Sequence, residues 1–409
     1  MTALSPATSV PSSAKDPSRR QASPDPWWLL VDPLLILSAL ATAAMGALLV
    51  YSATRGVVGD FTEPDTSYLE RQVLYIAVGL VGAVAVAFAP LEWMRKLYPA
   101  VFALMLASLV VVALFGVEVN GTRAWLELGP FRLQPSEPAK LGLIFGLAMM
   151  LSPGKRAPGT SPAPPEVSLT RTVLALALAL APIALILLQP DVGTMLVYLV
   201  ITLLMVVISG VRARWIVLLV IVAVVGAVGI YRSDVLAEYQ EARLRVYLFT
   251  SDVSEESTSY AFNVEQAQIA IGNGGLRGQG LFQGTQTRSD LVPQQQTDFI
   301  FTVAGEELGL RGASVLLGLL SLLLFRVWRT AQLAATSFEQ LMSTGIFAML
   351  LFQTFQSVGM TMGMMPVTGI PLPLVSYGGS SMLTTLVALG LVAGVYRRRL
   401  GIEGMIRAH

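Results

Sequence analysis

Four acidic side chains lie in one stretch, Gly284–Gly309, where a long polar interval gives way to apolar sequence. They are Asp290, Asp298, Glu306 and Glu307. A helix that begins at Asp298 would carry Thr302 and Glu306 on the same face. Because a charge immersed in the bilayer costs about 2.5–3.5 kcal/mol, the stretch indicates either a reactive site or a set of internal ion pairs.

The composition limits which side chains are available for acid–base chemistry. The 409-residue chain is 54% apolar and 13% charged, contains no cysteine, and has one histidine, His409. Soluble domains have about 25% charged residues, so the chain is predicted to be an integral membrane protein. Thiol and histidine catalysis are excluded, as are zinc sites built from these side chains. The near-zero net charge excludes a broadly basic nucleic-acid surface. Any proton chemistry must therefore come from Asp, Glu, Lys or Tyr side chains.

Apolar segments long enough to cross a bilayer, about 20 residues each, predict the fold. The prediction is an all-α polytopic membrane protein with ten transmembrane helices. The segments are Leu34–Tyr51, Gln72–Ala89, Tyr98–Gly116, Pro138–Leu151, Leu169–Leu188, Val192–Ser209, Trp215–Tyr231, Ala313–Phe325, Gln340–Thr361 and Ser380–Tyr396.

The distribution of Lys and Arg predicts the topology. Basic residues concentrate in alternate connections and in both tails, so the positive-inside rule makes both termini cytoplasmic. Residues 1–27 are predicted to be a disordered tail, 28–399 the transmembrane domain and 400–409 a second cytoplasmic tail. Residues 232–298 form a large extracellular loop between the seventh and eighth helices. Since most unusual residues fall in outer loops, we expect the function on the outer face of the membrane.

The loop NGTRAWLELGPFRLQPSEPAK carries a mixed set of polar side chains ahead of the fourth helix. They are Arg123, Gln134, Ser136, Glu137 and Lys140. In one interpretation Ser136 caps the helix and Glu137 pairs with Lys140. In the other, the loop forms a cationic cleft for phosphate, because guanidinium groups bind oxyanions in a fork geometry. The sequence leaves both interpretations open.

Other outer segments allow both structural and functional interpretations. Asp191, in the turn LLQPDVGT, either caps the sixth helix or takes part in chemistry, and capping is favoured. Arg243 and Arg245 lie in YQEARLRVYLF, which is typical of an amphipathic helix at the membrane interface. The glycine-rich NVEQAQIAIGNGGLRGQGLFQGTQ is interpreted as an apolar turn that either exposes N–H groups to an anion or is a flexible re-entrant segment.

The segment GMMPVTGIPLPLVSYGGSS has too many prolines and glycines to be continuous helix. Irregular backbone at membrane depth is tolerated only against protein or a water-filled cavity. We therefore predict that this segment lines the same cavity as Asp298.

Five blocks in this order resemble the SEDS family (shape, elongation, division and sporulation), the membrane glycosyltransferases typified by RodA and FtsW. The blocks are RAWLELGPFRLQPSEPAK, LLQPDVGT, QAQIAIGNGGLRGQG, GTQTRSDLVPQQQTDFIFTVAGEELG and PVTGIPLPLVSYGGSS. The resemblance extends from about Leu34 to Arg399. The GTQ and IPLP sequences are more similar to RodA than to FtsW. Two departures stand out: Gln294–Gln296 and Gln268 replace charged or titratable residues of relatives.

The resemblance implies polymerisation of lipid II into glycan strands for cell elongation and shape, on the outer face of the bacterial cytoplasmic membrane. It implies that Asp298 is the essential acid and that Asp290 matches an upstream acid. The family's loop residues map onto Arg123, Gln134, Ser136, Glu137 and Lys140. We expect Arg243, Arg245, Thr297, Ser376 and Ser380 as further substrate-binding residues. A divalent cation (Mg or Mn) is expected to assist, and a class B penicillin-binding protein, a transpeptidase, is the expected partner.

Three alternatives remain at this point. The same helices and acids suit a transporter or flippase for the lipid-linked precursor, or a scaffold that recruits a transpeptidase. An FtsW-like polymerase for division is the third. We find no inverted internal repeat of the kind that marks many transporters, which favours the enzyme.

Overall fold

The computed structural model describes residues 31–55, 66–119, 122–129, 131–152, 167–232, 255–289 and 291–407. Within these ranges the chain forms twelve helices and three short strands. The helices are α1 (Pro33–Ala53), α2 (Ser67–Phe88), α3 (Leu91–Phe115), α4 (Ser136–Leu151), α5 (Leu169–Leu187), α6 (Val192–Ile208), α7 (Ala213–Arg232), α8 (Glu255–Gly274), α9 (Thr285–Arg288), α10 (Ile300–Gln332), α11 (Ser337–Thr361) and α12 (Gly379–Arg407). The strands are β1 (Val117–Val119), β2 (Thr122–Leu128) and β3 (Phe131–Leu133).

Every segment predicted to cross the membrane coincides with a helix. Seven helices in the described ranges are both long enough and apolar enough to span a bilayer. The helices α4 and α6 are shorter, with 16 and 17 residues. The prediction of an all-α polytopic membrane protein is confirmed.

The buried core lies mainly between α4, α6, α11 and α12. Small residues allow the helices to approach: a Cβ at Gly345 would lie 2.7 Å from side-chain atoms of both Ile144 in α4 and Met205 in α6. In α2, by contrast, only Gln72, Gly79 and Ala87 are buried. Most of that helix therefore faces outward, as expected for a helix in contact with lipid.

The connection before α4 forms a small sheet that the sequence did not predict. β1, β2 and β3 pair antiparallel in that order, with Trp125 opposite Val117 and Leu126 opposite Leu133. Gly129 turns the chain between β2 and β3 with a φ of +64°, which glycine adopts without strain. Strands this short show no clear alternation of apolar and polar residues in the sequence.

Two segments are more helical than predicted. α8 runs through QAQIAIGNG, which the sequence analysis had interpreted as a turn, and ends only at Gly274. Apolar and small residues there pack against α10, and this tertiary contact outweighs the low helix propensity of glycine. The last helix continues to Arg407, into the predicted tail 400–409. Residues 1–30 and 153–166 lie outside the described residues.

Candidate functional site

Asp298 lies in a tight turn immediately before α10. The turn is built on Gln294, whose φ is +56°. The Gln294 carbonyl accepts hydrogen bonds from the backbone N–H groups of Thr297 at 3.1 Å and Asp298 at 3.0 Å. The Thr297 hydroxyl also donates to this carbonyl, at 3.1 Å. The helix itself begins at Ile300, so Asp298 precedes the first turn, half-buried rather than immersed.

Two of the three consecutive glutamines Gln294–Gln296 link this turn to other parts of the chain. The buried Gln295 amide donates to the carbonyls of Ala53, at 3.0 Å, and Thr287, at 2.9 Å. The Gln296 carbonyl accepts from the backbone N–H of Tyr377 at 2.9 Å. The turn is thus tied to the end of α1, to α9 and to the segment before α12.

The fully buried Glu306 carboxylate organises the segment that precedes the turn. It accepts four hydrogen bonds: from the Thr285 hydroxyl at 3.2 Å, the Gln286 N–H at 2.7 Å, and the Thr287 N–H and hydroxyl at 2.9 and 2.7 Å. Such donors offset much of the cost of burying a charge. Glu306 therefore stabilises α9 rather than facing a substrate.

Glu307, also fully buried, accepts from the Ser52 hydroxyl of α1 at 2.6 and 2.7 Å. The sequence analysis left open whether these two acids belong to a reactive site or to internal ion pairs. In the described residues, the hydrogen-bond partners of both carboxylates are hydroxyl and amide groups. A search of the sequence for a nearby basic residue therefore does not identify them.

The glycine-rich segment after α8 pairs with the backbone of α10 at a break in that helix. The break is at Gly309, with φ +65° and ψ −167°. Gln279 N–H donates to the Glu306 carbonyl at 3.0 Å, and Leu310 N–H to the Gly275 carbonyl at 2.9 Å. A Cβ at Gly278 would lie 2.1 Å from the Glu307 carbonyl oxygen. In the structure these glycines therefore permit close contact between two backbone segments.

The proline-rich segment between α11 and α12 lies next to Asp298, as predicted. A Cβ at Gly369 would be 3.4 Å from Asp298 Oδ2, and a Cβ at Gly193 would be 2.6 Å from the Thr368 carbonyl oxygen. Gly369 has a φ of +72°. The segment therefore links Asp298 to the first turn of α6. Ser376, a predicted substrate-binding residue, is buried, and its hydroxyl accepts from Leu372 N–H at 2.9 Å.

A second polar cluster lies at the same end of the bundle, beside the first turn of α6. Asp191 caps α6 by accepting from Thr194 N–H at 2.9 Å, and it also accepts from the Gln134 side-chain amide at 3.2 Å. Gln134 N–H in turn donates to the Ser380 hydroxyl at 2.9 Å. Two predicted site residues, Gln134 and Ser380, are thus brought together beside Asp191 and the start of α12.

The Glu137–Lys140 ion pair is present and deeply buried. The Lys140 Nζ–Glu137 Oε1 distance is 2.7 Å, and the two side chains are only 1% and 4% exposed. The cap predicted at Ser136 is wrong. Pro135 is the N-cap and Ser136 is already helical, so its side chain makes no capping hydrogen bond. Its carbonyl instead accepts from the Tyr198 hydroxyl at 2.8 Å.

These charges act on Asp191. Burial raises the pKa of the Asp191 carboxyl above its ordinary value, and the nearby charge of Glu137 acts in the same direction. Hydrogen bonds from Thr194 and the charge of Lys140 act in the opposite direction. Asp191 is therefore electrostatically coupled to the Glu137–Lys140 pair.

The remaining predicted residues lie apart from this cluster or outside the described residues. Arg123 is half-exposed on β2, 3.9 Å from Glu118 across the sheet. Arg243, Arg245 and Asp290 fall in the parts of the chain that the structure does not describe.

The described residues do not fit a metal ion held by protein ligands alone. Within the described ranges no group of three or more His, Cys, Asp or Glu side chains could hold a metal ion. Hard cations such as Mg²⁺ often take several ligands from substrate phosphates instead.

The stability of the bundle is predicted to depend on both members of the buried ion pair. Glu137→Leu strands the Lys140 ammonium in the core and should lower the free energy of unfolding by about 3–5 kcal/mol. Replacing both residues, Glu137→Leu with Lys140→Met, removes the uncompensated charge and should recover most of that loss. Thermal unfolding of the purified protein in detergent measures both. A double variant as unstable as the single one would contradict this account.

The chain is similar to known proteins over most of its length. The family model described as "Cell cycle protein", which covers FtsW, RodA and SpoVE, matches residues 32–400. The peptidoglycan glycosyltransferase MrdB of Escherichia coli K12 is 34% identical over 369 residues, which cover 90% of this chain and 94% of MrdB.

Solved structures are similar over almost the whole chain. A chain of a peptidoglycan synthase complex, described as coordinating polymerization and crosslinking, has a TM-score of 0.71 and 31% identity, covering 91% of this chain and 99% of its own. The rod shape determining protein RodA of Thermus thermophilus has a TM-score of 0.64 and 32% identity, with the same coverage of 91% and 99%.

Proposed function

The chain belongs to the FtsW, RodA and SpoVE family, and on that premise we propose that it is a peptidoglycan glycosyltransferase that polymerises lipid II, with Asp298 as general base. The resemblance inferred from the sequence motifs is confirmed by this membership. Relatives named MrdB and RodA favour a role in elongation and cell shape. A division polymerase of the FtsW kind is the alternative.

The observation that carries the proposal is the position of the Asp298 carboxylate. It is held in a turn fixed by Gln294, and its Oδ2 faces the backbone of Gly369. Glu306 and Glu307 are fully occupied by local donors, and Glu137 is neutralised by Lys140. Asp298 thus has the position and partial exposure that a general base requires.

The proposed step is a single displacement with inversion. The 4-hydroxyl of an incoming sugar attacks the anomeric carbon of a chain held on undecaprenyl diphosphate, and its proton passes to Asp298. The bond from the anomeric carbon to the diphosphate oxygen breaks as the new glycosidic bond forms. Undecaprenyl diphosphate leaves with the bonding electron pair, so no covalent enzyme intermediate is needed.

Cationic groups would stabilise the charge that develops on the diphosphate. We assign Arg123 to this role because its guanidinium is half-exposed and only loosely paired with Glu118. Lys140 is buried, so it acts by holding Glu137 and by its field rather than by direct contact. A divalent cation, if it takes part, would draw its ligands largely from the diphosphate oxygens.

The proposed partner is a class B penicillin-binding protein, which would cross-link the strands that this protein makes. A neighbouring structure comes from a complex that coordinates polymerization with crosslinking, and this supports the assignment. Pull-down of the full-length chain with a purified transpeptidase of that class tests it: failure to bind any such protein from the same bacterium would contradict it.

Asp298→Asn should reduce polymer formation from purified lipid II by about 10²- to 10⁴-fold, the usual contribution of a general base. The asparagine keeps the size of the side chain and removes its basicity. The assay uses purified protein in detergent, where no sidedness exists, so polymer formation by the unmodified protein also separates an enzyme from a flippase. Glu265→Gln, which changes an exposed acid on α8, is the matched control. Normal synthesis by folded Asp298→Asn would refute the assignment.

Arg123→Ala should raise the KM for the lipid-linked donor by about tenfold, the effect of losing one charge-assisted hydrogen bond. Arg132→Ala is the control, because Arg132 lies on the adjacent strand and pairs with Glu127 at 3.2 Å. Steady-state kinetics at varied donor concentration measure both variants. Equal effects would count against a direct role for Arg123.

We propose that both termini are cytoplasmic and that Asp298 faces outward. Because the chain has no cysteine, single cysteines report on sidedness without background. A membrane-impermeant maleimide should label Ser289→Cys, in the segment that precedes Asp298, in intact cells. It should label Lys96→Cys, in the second turn of α3, only after permeabilisation. The reverse pattern would overturn the orientation.

A further inference from the structure

An arginine that the sequence analysis did not single out lies within a group of tyrosines, one of which contacts the turn that carries Asp298. Arg71, in the second turn of α2, is fully exposed, and its guanidinium is hydrogen bonded to the Tyr377 hydroxyl. The Tyr377 ring lies edge-on to Tyr68, with centroids 5.0 Å apart, and 6.2 Å from the ring of Tyr75. We call Arg71 and these three tyrosines the Arg71 cluster.

The Arg71 cluster is fixed to the turn that carries Asp298. Tyr377 N–H donates to the Gln296 carbonyl at 2.9 Å, two residues before Asp298. The buried Gln72, next to Arg71 in α2, donates from its amide to the Ser376 carbonyl at 3.3 Å. One short segment therefore contacts both the start of α2 and the turn that carries Asp298.

The charge of Arg71 is not neutralised by a carboxylate in the described part of the chain. The adjacent Glu70 accepts from the Thr66 hydroxyl at 2.9 Å. The other cations considered for the diphosphate differ, because Lys140 is buried against Glu137 and Arg123 faces Glu118. Arg71 is instead held by a neutral phenol, which orients the guanidinium and leaves its positive charge available to an anion.

The surroundings of Arg71 also suit a lipid-linked ligand. Apart from Gln72, the buried residues of α2 are Gly79 and Ala87, so most of the helix surface is open to lipid. The Tyr75 ring lies against the start of α12, where a Cβ at Gly379 would be 2.9 Å from it. An isoprenoid chain lying along α2 would therefore bring its headgroup to a cation framed by fixed aromatic rings.

We propose that Arg71, with Tyr68, Tyr75 and Tyr377, binds the diphosphate of an isoprenoid-linked sugar. This rests on the proposed function, because it adds a binding residue to the same reaction. The planar guanidinium presents several N–H donors in the geometry that phosphate oxygens accept. The phenol hydroxyls add neutral donors, and the tyrosine faces suit contact with the apolar side of a sugar or the first isoprene units.

Equilibrium binding to the purified full-length protein tests this without requiring catalysis. The probes are undecaprenyl diphosphate and undecaprenol, which has the same chain and no phosphate. Arg71→Ala should weaken binding of undecaprenyl diphosphate by about tenfold to hundredfold, the usual effect of losing a charge-assisted contact, and should leave undecaprenol binding unchanged. Arg71→Lys should recover part of the loss because it keeps the charge.

Two controls separate a binding role from a structural one. Arg311→Ala removes another exposed arginine, on α10, and should bind both probes like the unmodified protein. Tyr377→Phe keeps the ring and removes the hydroxyl that orients Arg71, so it should weaken diphosphate binding less than Arg71→Ala does.

Equal diphosphate affinity in Arg71→Ala and Arg311→Ala would overturn the inference, as would a parallel loss for both probes. If the unmodified protein binds undecaprenyl diphosphate through Arg71 but makes no polymer from lipid II, the proposed function fails and the anion site stands.

Discussion

The carboxylate of Glu306 holds together the segment on which the site depends. Its four hydrogen bonds order Thr285–Thr287, and the Thr287 carbonyl then accepts from the side chain of Gln295. Gln295 lies three residues before Asp298, so the position of the proposed base follows from a carboxylate that never meets the substrate. These hydrogen bonds hold the segment firmly, because breaking them would leave an unpaired carboxylate in the core.

Each of the other buried acidic side chains at this end of the bundle also has a specific neighbour as its partner. Glu307 has Ser52, Glu137 has Lys140, and Asp191 has Thr194 and Gln134. At the same end of the bundle, Asp298 is half-buried in its turn and the guanidinium of Arg71 is exposed. In the proposed reaction Asp298 accepts the proton, and Arg123 and Arg71 contact the diphosphate of the lipid-linked sugar.

Much of this arrangement follows from the sequence, because it depends on local rules. Apolar length predicts the helices, the spacing of Glu137 and Lys140 predicts their pairing, and Asp191 precedes a helix it can cap. The prolines and glycines around Gly369 predict irregular backbone near Asp298. The expected cap at Ser136 failed because Pro135 adopts helical angles and moves the helix start by one residue.

What the sequence did not reveal depends on contacts between distant residues. The partners of Glu306 are about twenty residues away in sequence, and those of Gln295 lie on α1 and α9. Arg71 lies in no recognisable motif. Only its contact with Tyr377, from the far end of the chain, makes it a candidate binding residue. The short strands before α4 and the helix through IAIGNG likewise form by pairing and packing that no local pattern encodes.

Chemical rescue tests most directly whether Asp298 is the general base. Asp298→Ala leaves a space beside Gly369, and a small carboxylate such as formate can enter it and accept the proton from the attacking hydroxyl. The account predicts that polymerisation of lipid II by purified Asp298→Ala is very slow without formate and rises with formate concentration, whereas the unmodified protein does not respond. A folded variant that binds the lipid substrate and shows no formate-dependent rate would contradict it.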